Sequence, residues 1–146
     1  MFLYVRVCSA VVLLASVAQA APANPSPVGD WYSEGKQNGE RILSLTHYKT
    51  DGTFVTEFRE CLPNWTGVHT ESGHWSLAGN RLLTTTELAK GRSVSFTGEF
   101  EIVSNDGHIW LSHTVGGDAL RIFGDNGIRV VRVTPGSRLP SCDQVS

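Results

Sequence analysis

Three groups of residues in this chain have types and spacing that could support chemistry. His69 and Glu71 sit two apart, with His74 just beyond Gly73; two imidazoles and a carboxylate make a donor set for Zn²⁺ or Cu²⁺. On a regular strand, residues five apart point to opposite faces, so His69 and His74 diverge unless Gly73 makes a bulge. A solvated polar edge is therefore the expected state, and no metal is expected. Glu99 and Glu101 share one strand face, the arrangement of a carboxylate pair, but Phe96 and Phe100 stand on the other face. Water reaches such a pair, and without desolvation neither carboxyl gains the raised pKa of a general acid. The third group is Cys61 and Cys142. The chain has no Gly-x-Ser-x-Gly elbow, phosphate-cradling glycine loop or dinucleotide fingerprint, so binding is expected over catalysis and no cofactor is implied.

The two thiols depend on the compartment, which the first residues address. Residues 1–20 carry one basic side chain, Arg6, then an apolar run over 11–17, and end on Ala18-Gln19-Ala20. That is the pattern of a cleaved secretory signal, too short to span a bilayer. Cys8 follows Val5-Arg6-Val7, without the small neighbour a lipidated cysteine needs, so no membrane anchor is expected. The location read from this segment is periplasmic or extracellular. Of 146 residues, removal of 20 leaves 126, and with Arg6 gone the 12 basic side chains become 11 against 14 acidic ones. One domain fits that length. A net acidic chain without a basic face is a poor partner for nucleic acid. Cys8 leaves with the signal, so Cys61 and Cys142 remain as an even pair where disulfides persist. A bridge would close a loop worth roughly 4 kcal/mol in the chain-entropy model; two free thiols are the alternative. Asn64-Trp65-Thr66 fits a glycosylation sequon, which matters only in a glycosylating host.

The elements that position these residues read as strands. Residues 21–28 contain three prolines and form an extended lead-in. From Gly29 onward turn signals recur at strand-like spacing, among them Asn38-Gly39, Asp51-Gly52, Gly79-Asn80, Lys90-Gly91 and Asp106-Gly107. Between them apolar side chains alternate with period two, most clearly at Val94, Phe96, Gly98, Phe100 and Ile102. Nine strands are predicted, at 29–36, 40–48, 53–61, 67–77, 81–88, 93–103, 108–114, 119–123 and 128–133. No helical repeat extends over three turns. Such a series stacks as a sandwich or closes as a barrel, and hairpin-length links favour an all-β, up-and-down antiparallel barrel of about eight strands over 29–133. Residues 134–146 form a tail that Cys142 would pin to the end of the third strand.

Gly29-Asp30-Trp31 at the start of the first strand resembles the first motif of the lipocalins and their bacterial lipocalin-like relatives. Asp51-Gly52-Thr53-Phe54, Gly73-His74-Trp75 and Gly79-Asn80-Arg81-Leu82 are also similar to the small bacterial version of that calycin-type barrel. The resemblance implies that Trp31 lies across the closed end of the barrel under an arginine of the last strand, Arg129 or Arg132, with Trp75 as a further structural aromatic. The second and third lipocalin motifs and a helix after the last strand are missing, so the resemblance carries no ligand over.

Alternation points Phe54, Phe58, Phe96 and Phe100, with Tyr48, into one interior. Gly98, between two phenylalanines on that face, is expected to leave a gap for ligand. Trp65, between Pro63 and Gly67 in a loop, reads as a lid over the cavity or as a satellite of the core. The expected function is to bind a small apolar ligand. The alternative is a protein-directed module, such as an inhibitor of a secreted enzyme, whose barrel is filled and whose loops do the work.

Overall fold

The computed structural model describes residues 26–144; residues 1–20, expected to be an export signal, and most of the expected lead-in lie outside the described residues. Eight strands form: β1 (Gly29–Gln37), β2 (Glu40–Tyr48), β3 (Thr53–Leu62), β4 (Trp65–Ala78), β5 (Arg81–Ala89), β6 (Arg92–Asn105), β7 (Ile109–Gly116) and β8 (Gly127–Arg132). Each pairs antiparallel with its neighbours in sequence, and β8 returns to β1, closing an up-and-down barrel. The glycine turns explain the sharp reversals. Asn38 and Lys90 take left-handed backbone, each followed by a glycine with positive φ, the two-residue turn whose twist matches that of the flanking strands.

The predicted strand at 119–123 is instead a helix, α1 (Gly117–Phe123), in the β7–β8 connection. The reason is local. Gly117, at φ 72°, turns the chain out of β7, and the Asp118 carboxylate accepts hydrogen bonds from the Thr97 backbone at 3.0 Å and from its hydroxyl at 3.2 Å. Asp118 also meets Arg121 one turn on, at 3.1 Å, and Ala119 is buried. Seven residues make less than two full turns, too few for a helical repeat to register. Among the described residues no helix is long and apolar enough to cross a membrane.

The two ends of the barrel differ. One end, the floor, carries the β2–β3, β4–β5 and β6–β7 turns and the lead-in; the other, the mouth, carries the β1–β2, β3–β4 and β5–β6 turns and α1. The core gathers at the floor: Trp31, Leu82, Ile102 and Trp110 are buried together, with Tyr48, Trp75 and Phe100 packed against them. Trp31 is 1% exposed. Its indole N–H donates to the Pro27 carbonyl at 2.6 Å, and Trp110 meets it edge-on at 5.6 Å. Over its ring, 4.3 Å from the centroid, lies the guanidinium of Arg132, a contact worth about 0.5–2 kcal/mol. The same guanidinium donates to the Gly107, Val28 and Ser26 carbonyls at 2.6, 2.9 and 3.3 Å. Of the two candidate arginines, Arg132 therefore covers Trp31. Arg129 is exposed, paired opposite Leu111.

After β8 the tail runs back along the outer wall of β1–β3. Gly136 N–H donates to the Asp30 carboxylate at 3.1 Å, and the other oxygen of Asp30 meets His47. Arg59 donates to the Pro140 carbonyl at 2.8 Å, and Arg41 to that of Cys142 at 3.0 Å. Cys142 is bridged to Cys61, with Cα atoms 5.7 Å apart. Leu139 is buried, and so is Leu43, which pairs opposite Arg59 on the wall that the tail crosses. The bridge is thus one of several anchors.

Because Trp31 is sealed on every side and Trp65 is 56% exposed at the mouth, their truncations should differ. Trp31→Ala is expected to cost about 3–5 kcal/mol in urea unfolding, and Trp65→Ala below about 1 kcal/mol. Equal losses would contradict the assignment of the core to the floor.

Candidate functional site

Strand register decides what the interior offers, because paired residues share a face. Starting from Trp31, the inward set on β1–β4 climbs from the floor aromatics through Ser33, Ser44, Thr46 and Thr56 to Phe58, Glu60, His69 and Glu71. The middle layer is small and hydroxylated. Ser33 and Ser44 hydrogen-bond each other at 2.7 Å, and Thr46 and Thr56 do so at 2.9 Å. Thr84, Thr86, Ser112 and Thr114 continue this layer on β5 and β7. The interior therefore changes from an aromatic floor through a hydroxyl layer to an ionisable mouth.

At the mouth the Phe58 ring stacks on the His69 imidazole, 5.1 Å between centroids and 21° between planes. Glu60 lies 3.6 Å from His69 Nδ1, and Glu71 lies 3.8 Å from Nε2. Lys90, on the β5–β6 turn, brings its ammonium to 3.5 Å from Glu60. Beside this cluster a recess of about 440 Å³ opens between Trp65, Val68, His69 and Lys90, within the size range of small-molecule sites. It exists because β4 runs past its partner: β5 pairs with β4 only as far as Glu71, and beyond it the Lys90 N–H donates to the Thr70 carbonyl at 3.2 Å, which leaves residues 65–69 of β4 as a projecting edge. Burial raises the Glu71 carboxyl above its usual range, with His69 and Lys90 pulling it partly back. At the floor, burial also pushes the Tyr48 phenol far up, so it stays neutral.

The candidate ligand residues divide between these zones. Tyr48, Phe54 and Phe100 belong to the floor: Tyr48 packs on Phe54 at 6.1 Å, on Trp75 at 5.7 Å and on Trp110 at 6.0 Å, while Phe100 packs against the buried core. Phe58 and Phe96 share the inward face nearer the mouth. The gap expected at Gly98 is not there. A Cβ on Gly98 would fall 2.6 Å from the Phe100 ring and 2.8 Å from the Thr84 hydroxyl, so the neighbouring phenylalanine already covers the glycine. Trp65 is not in a loop but opens β4, with its indole lying over Gly67. Trp75 donates from its indole to the Thr53 carbonyl at 3.0 Å, closing the β2–β3 turn.

His69 and His74 do point apart. The register shift at Ser72/Gly73 takes its extra residue from β5, so β4 keeps its alternation; His74 faces out to Glu87 at 3.1 Å. Among the described residues no group of three histidine, cysteine, aspartate or glutamate side chains could hold a metal ion. Glu99 and Glu101 are surface groups, paired with Arg81 and with Asn80 and His113. Glu60 and Lys90 escaped sequence reasoning. Glu60 continues the inward series Phe54, Thr56, Phe58, which was the available signal; Lys90 arrives from a turn, where alternation says nothing.

No protein-family model matches this chain, and no curated protein gives a significant match.

A carboxyl whose folded pKa lies above its unfolded one stabilises the fold only while protonated, and stability falls as pH rises through the raised value. Glu71→Gln is therefore expected to melt at a higher temperature than the wild-type protein at pH 7, with the difference narrowing toward about pH 4. Thermal unfolding across that range measures it. A difference that is absent at pH 7 or widens on acidification would contradict the burial of Glu71.

Proposed function

We propose that the protein is an exported binding protein of lipocalin-like type, which holds a small, largely apolar molecule at the mouth of a barrel closed at its other end. The observation that carries this reading is the zoning of the interior. Aromatic packing fills the floor, whereas the mouth combines the Phe58–His69 stack, Trp65 and a recess of about 440 Å³ with a few polar groups, the mixture that small-molecule sites use. The Gly29-Asp30-Trp31 resemblance and the Arg132 guanidinium over Trp31 support the family. The Cys61–Cys142 disulfide supports export, since such bonds persist in oxidising compartments.

A protein partner is the second reading, favoured by Trp65 and Val68, both more than half exposed on the projecting end of β4. Native mass spectrometry of the protein purified from its source separates the two. The expected result is a retained small molecule that denaturation releases. A stoichiometric protein companion would move the assignment to the second reading, and a bare chain that takes up no small-molecule probe would overturn the first.

A further inference from the structure

The mouth places one carboxylate where the fold supplies no full counter-charge. Glu60 has the Lys90 ammonium at 3.5 Å as well as His69 at 3.6 Å. Glu71 has the His69 imidazole at 3.8 Å and only a share of the same Lys90 ammonium, and its register neighbours, Thr56 on β3 and Ala89 on β5, carry no charge. Further out, Arg92 on β6 stands opposite Ala89, exposed at the rim. The formal charges of Glu60, Glu71 and Lys90 therefore leave the inner mouth with one negative charge, seated on a half-buried group. Burying a carboxylate without a cation costs stability, and a ligand bearing the cation would recover that cost on binding.

Aromatic surface beside the same point strengthens the inference. The Phe58–His69 stack forms a flat platform next to Glu71, and the Trp65 indole lines the adjoining recess. A flat or apolar body fits such surfaces, while a positive head is attracted both to the carboxylate and to aromatic faces. We propose that the mouth selects small molecules carrying a protonated amine on an apolar or aromatic body, with the Glu71 carboxylate as the partner of the ammonium. This specificity rests on the small-molecule reading above.

Three probes that share one fluorophore and differ in charge test it: dansylcadaverine, a cation; dansylamide, which is neutral; and dansylglycine, an anion. Fluorescence titration of the mature, disulfide-bonded protein at pH 7 is expected to show dansylcadaverine binding roughly tenfold or more tightly than the other two, from a desolvated charge pair. In Glu71→Gln that preference should vanish while dansylamide affinity and the β circular dichroism stay unchanged. Equal affinity for all three probes, a preference for dansylglycine through His69 and Lys90, or a cation preference that survives Glu71→Gln would each overturn the amine specificity and leave the binding reading standing. Binding of none of the three would remove the binding reading and the specificity with it.

Discussion

The guanidinium of Arg132 lying on the Trp31 indole is the contact on which the rest of this barrel depends. It joins the last strand to the first, where only three residue pairs connect β8 to β1. Through its three carbonyl acceptors it also ties down the lead-in and the β6–β7 turn. A planar cation with five donors suits this role: it can stack on a ring and satisfy several backbone carbonyls at once, which an ammonium on a flexible stem cannot. Closing the floor in this way sets the aromatic core at one end, and the inward faces of the strands are free to become smaller and more polar toward the other.

A second constraint acts from outside. The tail covers the outer wall of β1–β3, where Leu43 would otherwise face water, and it is held by the Asp30 carboxylate, by Arg41 and Arg59, and by the disulfide. Floor and strap meet at Asp30, the residue beside Trp31, so the closed end is braced from both inside and outside. At the mouth only the β2–β3 side is braced, where the tail ends on the Cys61–Cys142 disulfide and on Arg41. β6 reaches β7 only from Glu99 onward, and α1 lies beside the stretch that β7 does not cover. The proposed ligand site lies at this less braced end, and the elements that move in binding are drawn from the less stable parts of a fold.

Most of the barrel could be read from the chain, for a physical reason. Period-two alternation and left-handed glycine turns are local properties, and in a meander each strand pairs with its neighbour, so local signals determine the topology. Three features needed more than local information. α1 is too short for its repeat to show, and its position depends on Asp118 reaching Thr97, twenty-one residues away. Arg129 and Arg132 look alike until the register of β8 against β1 places Arg132 opposite Trp31. Gly98 looked like a gap because alternation reports which face a side chain leaves from, not where its ring ends; Phe100 folds back over the glycine. The candidate site was half readable. His69 and Glu71 stood out as a pair, but Glu60 and Lys90 join them only when β3, β4 and the β5–β6 turn converge.

Buried packing in this barrel is concentrated at a sealed floor and thins toward a polar mouth, and local stability is expected to fall in the same direction. Native-state amide hydrogen exchange on the wild-type protein reads that gradient residue by residue. The slowest exchange is expected where β1, β7 and β8 meet around Trp31, Trp110 and Arg132, and the fastest within residues 90–98 and 117–126 at the mouth. Uniform protection along the strands, or slower exchange at the mouth than at the floor, would contradict that gradient.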